Sequence, residues 1–102
     1  MPERGFIAGR CMLSTREIEV LRSWLISDSK RDVAVELFVT EATVHTHLAR
    51  IRDKYAAAGR PAPSKVALFV RAVEDGYCTI ADVADVIDQQ NAESSRRFDI
   101  AV

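Results

Sequence analysis

Residues 40–55 carry the side chains whose types and spacing indicate a binding chemistry. Apolar residues recur there at helical spacing and predict one buried side, made of Val44, Leu48, Ile51 and Tyr55. At about 100° per residue, Ala42, Thr46 and Ala49 cluster on the opposite side, and His45 and Arg50 flank them. Small, neutral residues bordered by basic ones suit a surface that enters a groove with phosphates on both walls. We therefore predict a recognition helix at about residues 41–56.

A shorter helix is predicted immediately before this one. Ser29 is a suitable N-cap for a helix from Lys30 to Phe38, and Asp32 follows three residues later as in a capping box. Only Val39 and Thr40 separate the two helices, and Thr40 is a suitable N-cap for the second. Two helices joined by so short a turn form a helix-turn-helix unit.

Two further helices are expected to support this unit. Ser14 and Glu17 form an S-x-x-E pattern that begins the first, whose apolar side is Ile18, Leu21, Trp24 and Leu25. The other is predicted over about residues 63–75, with Pro63 in its first turn and Gly76 as its left-handed C-terminal glycine. Its apolar stripe consists of Val66, Phe69, Val70 and Val73. The predicted fold class is all-α.

A fifth, amphipathic helix is predicted within residues 77–91, because Thr79 and Asp82 form another cap pair. Its apolar side is lined by Ile80, Val83, Ala84, Val86 and Ile87. This side either packs back on the domain or associates with a second copy, and an acidic face directed at RNA polymerase or another regulator is a third alternative. Residues 1–12 are expected to be a flexible segment or residual linker, and residues 92–102 a flexible tail.

The charge of the 102-residue chain is unevenly distributed. The formal net charge is only −1, which argues against a protein that coats nucleic acid indiscriminately. Residues 1–65 hold 11 basic and 8 acidic groups, however, whereas residues 66–102 hold 3 basic and 7 acidic ones. The basic part contains the predicted recognition helix, so the polarity of the chain agrees with a nucleic-acid ligand.

Catalytic, metal and membrane functions find little support in the sequence. His45 and His47 diverge by roughly 200° around a helix and cannot share a metal ion. We find no glycine-rich phosphate loop or nucleophile elbow, so we predict no catalytic residue, metal or cofactor. Cys11 and Cys78 lack metal-site spacing and are expected to be reduced, with a redox-sensing disulfide as the alternative. No apolar run reaches the ~18 residues of a membrane span, so we expect a cytoplasmic protein.

The order of these motifs resembles a known family. The segment Leu13-Ser-Thr-Arg-Glu-Ile-Glu-Val-Leu21 is similar to the entry motif of the LuxR/NarL/FixJ-type DNA-binding domain, and residues 29–54 follow its central signature. The resemblance covers roughly residues 13–76 and implies a four-helix domain whose third helix docks in the major groove. It implies base-facing positions at His45, Thr46 and Ala49, beside Ala42, and phosphate-facing positions at Thr43, Arg50 and Lys54. The fourth helix often mediates dimerisation in this family, which makes Val66, Phe69, Val70 and Val73 dimerisation candidates. The apolar side of the predicted fifth helix, if it associates with a second copy, adds Val83, Val86 and Ile87.

Three features of the chain depart from the family pattern. His45 stands where the family commonly has a lysine, and Ser27 where a glycine often precedes the second helix. The connector at residues 56–63 is several residues longer than usual. Family members often carry a receiver or ligand-binding domain ahead of this one. The chain is accordingly expected to be a stand-alone regulator or the DNA-binding domain of a longer protein such as a response regulator.

The sequence therefore predicts a sequence-specific double-stranded DNA-binding regulator that acts as a homodimer. The competing hypothesis is a helical protein-interaction module with weak or no DNA binding, favoured by the acidic last third and by the missing lysine at position 45. A small redox switch through Cys11 and Cys78 is a third hypothesis.

Overall fold

The computed structural model describes residues 11–88, and within them the chain is all-helical. The helices are α1 (Thr15–Ile26), α2 (Lys30–Leu37), α3 (Glu41–Ala57) and α4 (Lys65–Glu74), followed by α5, which is helical over residues 80–88. The fold class predicted from the sequence is confirmed. Helical residues of the described range include no segment long and apolar enough to cross a membrane. The predicted tail at 92–102 and most of the predicted N-terminal segment lie outside the described residues.

Hydroxyl N-caps set the beginnings of the first four helices. Each cap side chain accepts a hydrogen bond from the backbone N–H three residues later, at Ser14, Ser29, Thr40 and Ser64. The Ser14–Glu17 capping box is complete, as predicted. The predicted start of α4 at Pro63 is wrong, because Ser64 supplies the cap and leaves Pro63 outside the helix.

Three helices end in the same hydrogen-bond pattern, a Schellman motif, in which a left-handed residue reverses the chain. Gly59 and Gly76 have φ values of 77° and 80° at the ends of α3 and α4. Phe38 occupies the equivalent position after α2 with φ 58°, and the N–H of Val39 donates to the carbonyl of Ala34 at 3.0 Å. The sequence placed Phe38 inside α2, but its left-handed backbone ends the helix at Leu37.

The core is built around the buried side of α3. Val44, Leu48, Ile51 and Tyr55 are all 0% exposed, which confirms the predicted stripe. They pack against apolar side chains from the other helices, chiefly Val20, Leu21, Val33, Leu68 and Ala72. Because α3 is covered on one side by the rest of the domain, its opposite side is left at the surface.

A buried carboxylate after α4 joins the start of the described chain to α3. Asp75 accepts hydrogen bonds from the backbone N–H of Cys11, from the hydroxyl of Tyr55 and from the guanidinium of Arg60. Tyr77 extends the network, because its hydroxyl donates to the carbonyl of Cys11. Cys11, which lies inside the segment expected to be flexible, is therefore bonded to the packed domain.

Only part of the apolar stripe predicted on α4 faces the core. Val66 and Val70 are 72% and 44% exposed, whereas Leu68 and Ala72 are buried. On α5, Thr79 and Asp82 form the predicted reciprocal cap bonds at 2.9 and 3.1 Å. Val83 packs against the core, while Ile80 and Ile87 stay exposed, so α5 covers the domain with only part of its apolar side.

We predict that replacing Phe38 with glycine stabilises the protein. A non-glycine residue in the left-handed region costs roughly 1–2 kcal/mol, partly offset by the greater unfolded-state freedom of glycine. The Phe38 ring is 94% exposed, so its loss removes little packing. Urea unfolding should give Phe38→Gly a free energy of unfolding about 1 kcal/mol above that of Phe38→Ala, which keeps the strain. Equal stability of the two variants would contradict this explanation.

Candidate nucleic-acid interface

The uncovered side of α3 carries the residues that the sequence assigned to a groove. Ala42, His45, Thr46 and Arg50 are exposed, and Ala49 is half-buried. Asp53 is exposed on the same side, nearer the C-terminal end, and the sequence interpretation did not consider it. Its carboxylate would repel phosphates, so the centre of this side is best suited to a groove in the turns that precede Asp53.

The N-terminal turn of α3 leaves a hydroxyl donor available. Thr40 accepts from the backbone N–H of Thr43 at 3.0 Å and donates to the hydroxyl oxygen of Thr43 at 2.9 Å. The Thr43 hydroxyl thus receives a hydrogen bond and keeps its own proton for an acceptor outside the domain. An anion placed here also benefits from the positive end of the α3 dipole.

Lys54 is tied to the domain more firmly than the sequence suggested. Its ammonium contacts the carboxylate of Glu17 at 2.6 Å, and the Glu17 side chain is only 9% exposed. Burial raises the pKa of the Glu17 carboxyl, but hydrogen bonds from Lys54 and Ser14 outweigh it and hold the pKa below its usual range. Lys54 keeps 42% of its side chain exposed, so it can still face an anion while it neutralises Glu17.

Other basic residues near the connector are engaged within the domain. Arg60 pairs with Asp75 at 2.9 Å and with Glu74 at 2.7 Å. The Lys65 ammonium lies 4.2 Å from the centre of the Trp24 ring and donates to a backbone carbonyl. Both side chains therefore have partners within the domain, and no nucleic acid is needed to explain their positions. By contrast, Arg50 has no hydrogen bond or ion pair within the part of the chain that the structure describes.

Arg16 forms an ion pair within α1. Its guanidinium contacts Glu19 at 2.8 Å and the carbonyl of Leu37 at 3.3 Å. The i, i+3 spacing of Arg16 and Glu19 on α1 makes this pairing local, and the bond to Leu37 ties α1 to the end of α2.

The remaining candidate reactive groups have structural surroundings. His47 is half-buried at the edge of the α3 core stripe. Cys11 and Cys78 are free and buried, and burial raises the pKa of both thiols. Residues 11–88 contain no cluster of three or more side chains that could hold a metal ion.

One contact on this surface was missed entirely from the sequence. The ammonium of Lys30, the first residue of α2, lies 3.0 Å from Nδ1 of His45 on α3. The two residues are far apart in sequence, and only the crossing of the two helices brings them together. The available signal for this contact in the sequence was the lysine at the first position of the helix that precedes α3.

A short turn joins α2 to α3, and α3 has one buried side and one polar, partly basic side. Both helices lie within a segment that matches a known protein family. The family described as "Bacterial regulatory proteins, luxR family" (GerE) matches residues 11–67, more than half of the chain. The chain belongs to the luxR family. The match runs from Cys11 through the first residues of α4, and so contains the whole helix-turn-helix unit. No significant match was found among curated proteins or solved structures.

Membership of the luxR family makes the chain a helix-turn-helix DNA-binding domain of the kind that regulates transcription. It is a DNA-binding family without enzymatic activity, and α3 is its recognition helix.

We predict that removing the Lys54 ammonium destabilises the fold. Lys54→Met leaves the buried Glu17 carboxylate without its partner, which should lower the free energy of unfolding by about 2 kcal/mol at pH 7. Because the folded pKa of Glu17 is depressed, the pair stabilises above the ordinary glutamate pKa of about 4.3 and is lost as pH falls. The difference in the free energy of unfolding between Lys54→Met and the unchanged chain should therefore shrink in urea titrations below pH 4.

Arg50→Met is the matched control, since it removes an exposed cation from the same helix without breaking an internal bond. Its stability at pH 7 should stay within about 0.5 kcal/mol of the unchanged chain. If Lys54→Met is equally harmless, the ion pair contributes nothing and this assignment is wrong.

Proposed function

We propose that this luxR-family domain binds a specific double-stranded DNA sequence with the first turns of α3 in the major groove, as a homodimeric transcriptional regulator. The observation that carries the proposal is the exposed face of α3, where short side chains at Ala42, Thr46 and Ala49 allow close approach to base edges. His45 and Thr46 are the leading base readers, and the alanines and the Thr46 methyl offer contacts for thymine methyl groups.

Phosphate contacts are assigned to Thr43, Arg50 and Lys54 on the two borders of this face. Arg50 is the strongest candidate because it is exposed and has no partner within residues 11–88. Thr43 offers a hydroxyl donor beside the N-terminus of α3. In this proposal, the Lys54 ammonium contacts both the Glu17 carboxylate and a phosphate. Phosphate contacts supply affinity and register, while base contacts supply sequence preference.

A homodimer is supported by the apolar surface of α4 and α5. Val66, Val70 and Ile87 are exposed, and Val73 and Val86 are half-buried beside them. Phe69 and Val83 pack against the core and line a groove together with Val66. Self-association would remove this apolar area from water and present two copies of α3 to two half-sites.

Two broader expectations accompany the proposal. A bacterial regulator that binds DNA would act in the cytoplasm, where the DNA is. The competing hypothesis is a helical protein-interaction module with weak or no DNA binding. A separate alternative is contact of the acidic face of α5, where Asp85 and Asp88 are exposed, with RNA polymerase or another regulator. A response-regulator role depends on a signal-receiving domain and stays a sequence prediction.

Arg50→Ala should weaken binding to all duplexes alike and reduce the salt dependence of the association constant. Loss of one phosphate contact should lower the slope of log K against log salt concentration by about 0.9. Arg22→Ala is the control, because Arg22 lies on α1 and contacts Asp82 and the carbonyl of Tyr77. Fluorescence anisotropy with a duplex at several salt concentrations measures both variants. An unchanged slope for Arg50→Ala would contradict its phosphate role.

Val66→Glu should convert the dimer into a monomer, because it places a carboxylate in the proposed apolar interface. Val35→Glu is a matched control on α2, since Val35 is 69% and Val66 is 72% exposed. Sedimentation equilibrium should give a dimer for the unchanged chain and for Val35→Glu. A monomeric unchanged chain, or a Val66→Glu variant that still dimerises, would reject α4 as the interface.

A further inference from the structure

The contact between Lys30 and His45 has a consequence for the chemistry that the recognition helix can present. Lys30 Nζ and His45 Nδ1 are 3.0 Å apart, within hydrogen-bond distance. An ammonium group has three donors and no acceptor, so His45 Nδ1 must be the acceptor. A neutral imidazole that accepts at one nitrogen carries its proton on the other. In the neutral ring, this hydrogen bond places the proton on Nε2.

We propose that Lys30 is a positioning residue that sets the base preference of His45 by fixing both the tautomer and the orientation of its ring. The inference rests on the proposed function, since it assumes that His45 faces base edges. With Nδ1 occupied by Lys30, only the Nε2–H group is left for the groove, and it can only donate.

A donor in the major groove discriminates among bases. Guanine presents two acceptors and no donor there, N7 and O6, whereas cytosine presents only a donor, its amino group. Adenine and thymine each present a single acceptor, N7 and O4, beside an amino donor and a methyl group respectively, so a lone donor is excluded by cytosine and finds the most acceptors on guanine. An unrestrained neutral histidine could donate or accept according to its tautomer and would discriminate poorly. The Lys30–His45 pair thus favours guanine at one position of each half-site. The donor is the short imidazole N–H of His45, at a position where the family commonly has a long, flexible lysine.

The placement of Lys30 supports this role. It is the first residue of α2, directly after the Ser29 N-cap, whose hydroxyl accepts from the N–H of Asp32 at 3.2 Å. Buried Val33 and Ala34 on α2 pack in the same core as Val44 on α3. The backbones that carry the ammonium and the imidazole are therefore fixed relative to each other before any DNA is bound.

The first test selects bound duplexes from a randomised pool with the unchanged chain and with Lys30→Met, His45→Ala and the double variant. Arg31→Met is the control, because it removes a neighbouring exposed cation from the same turn of α2. Lys30→Met should reduce the preference for guanine at one position per half-site by about fivefold, the value of a single hydrogen bond. His45→Ala should erase the preference at the same position, and adding Lys30→Met to it should change nothing more there.

Three results would overturn the proposal. Unchanged preference in Lys30→Met would show that the contact does not set specificity. A uniform loss of affinity equal to that of Arg31→Met would make Lys30 an ordinary phosphate contact. No retained duplex for the unchanged chain would remove the proposed function and this inference together.

A second measurement separates these failures and needs no DNA. The chain has only two histidines, so long-range ¹H–¹⁵N spectra of the imidazole groups are readily assigned with His45→Ala. The unchanged chain should show His45 with a proton on Nε2 and with Nδ1 as a hydrogen-bond acceptor. Lys30→Met should shift the Nδ1 resonance toward that of an unbonded acceptor, and Lys30→Arg should restore it. Identical Nδ1 resonances in the unchanged chain and Lys30→Met would mean that the contact does not exist in solution.

Discussion

The burial of one side of α3 is the constraint on which the rest of the structure depends. Val44, Leu48, Ile51 and Tyr55 are covered completely, and side chains from the other helices pack around them. A helix fixed along one side can present only its opposite side, which here carries the small and polar residues suited to a groove. The hydrophobic core and the proposed DNA-binding face are thus two sides of the same helix.

Two polar contacts hold α3 in place near its C-terminal end. Lys54 joins α3 to Glu17 at the start of α1, and Tyr55 joins it to Asp75 after α4. Both acceptors are buried carboxylates, and a buried carboxylate is costly unless it is paired and hydrogen-bonded. The orientation of α3 is therefore set by specific bonds as well as by packing. The bond between Cys11 and Asp75 extends this support to the start of the described chain.

Much of the fold could be predicted because it follows from local rules. Hydroxyl caps at Ser14, Ser29 and Thr40 and the period of the α3 stripe are visible in the sequence, and each was confirmed. The end of α2 was missed because glycine is the usual signal for a left-handed residue, and here phenylalanine occupies that position. The inner side of α4 was missed because that helix is apolar on several sides, so periodicity could not choose among them.

The candidate site was predicted less completely, since several of its contacts are long-range. Helical periodicity identified the exposed side of α3, including His45 and Thr46. It could not show that Lys54 neutralises Glu17 or that Lys65 covers Trp24, because these pairs depend on how helices cross. For the same reason the Lys30–His45 contact had no counterpart in the sequence interpretation.

Selection of the purified, unchanged chain against a randomised duplex pool, followed by sequencing of the retained duplexes, tests the central claim most directly. The proposed arrangement, with two copies of α3 in successive major grooves, predicts enrichment of a two-fold symmetric motif. Its half-sites should be centred about one helical turn, or a multiple of it, apart. A pool that stays random at low salt would contradict specific DNA binding by this chain and would favour a protein-interaction role for the same fold.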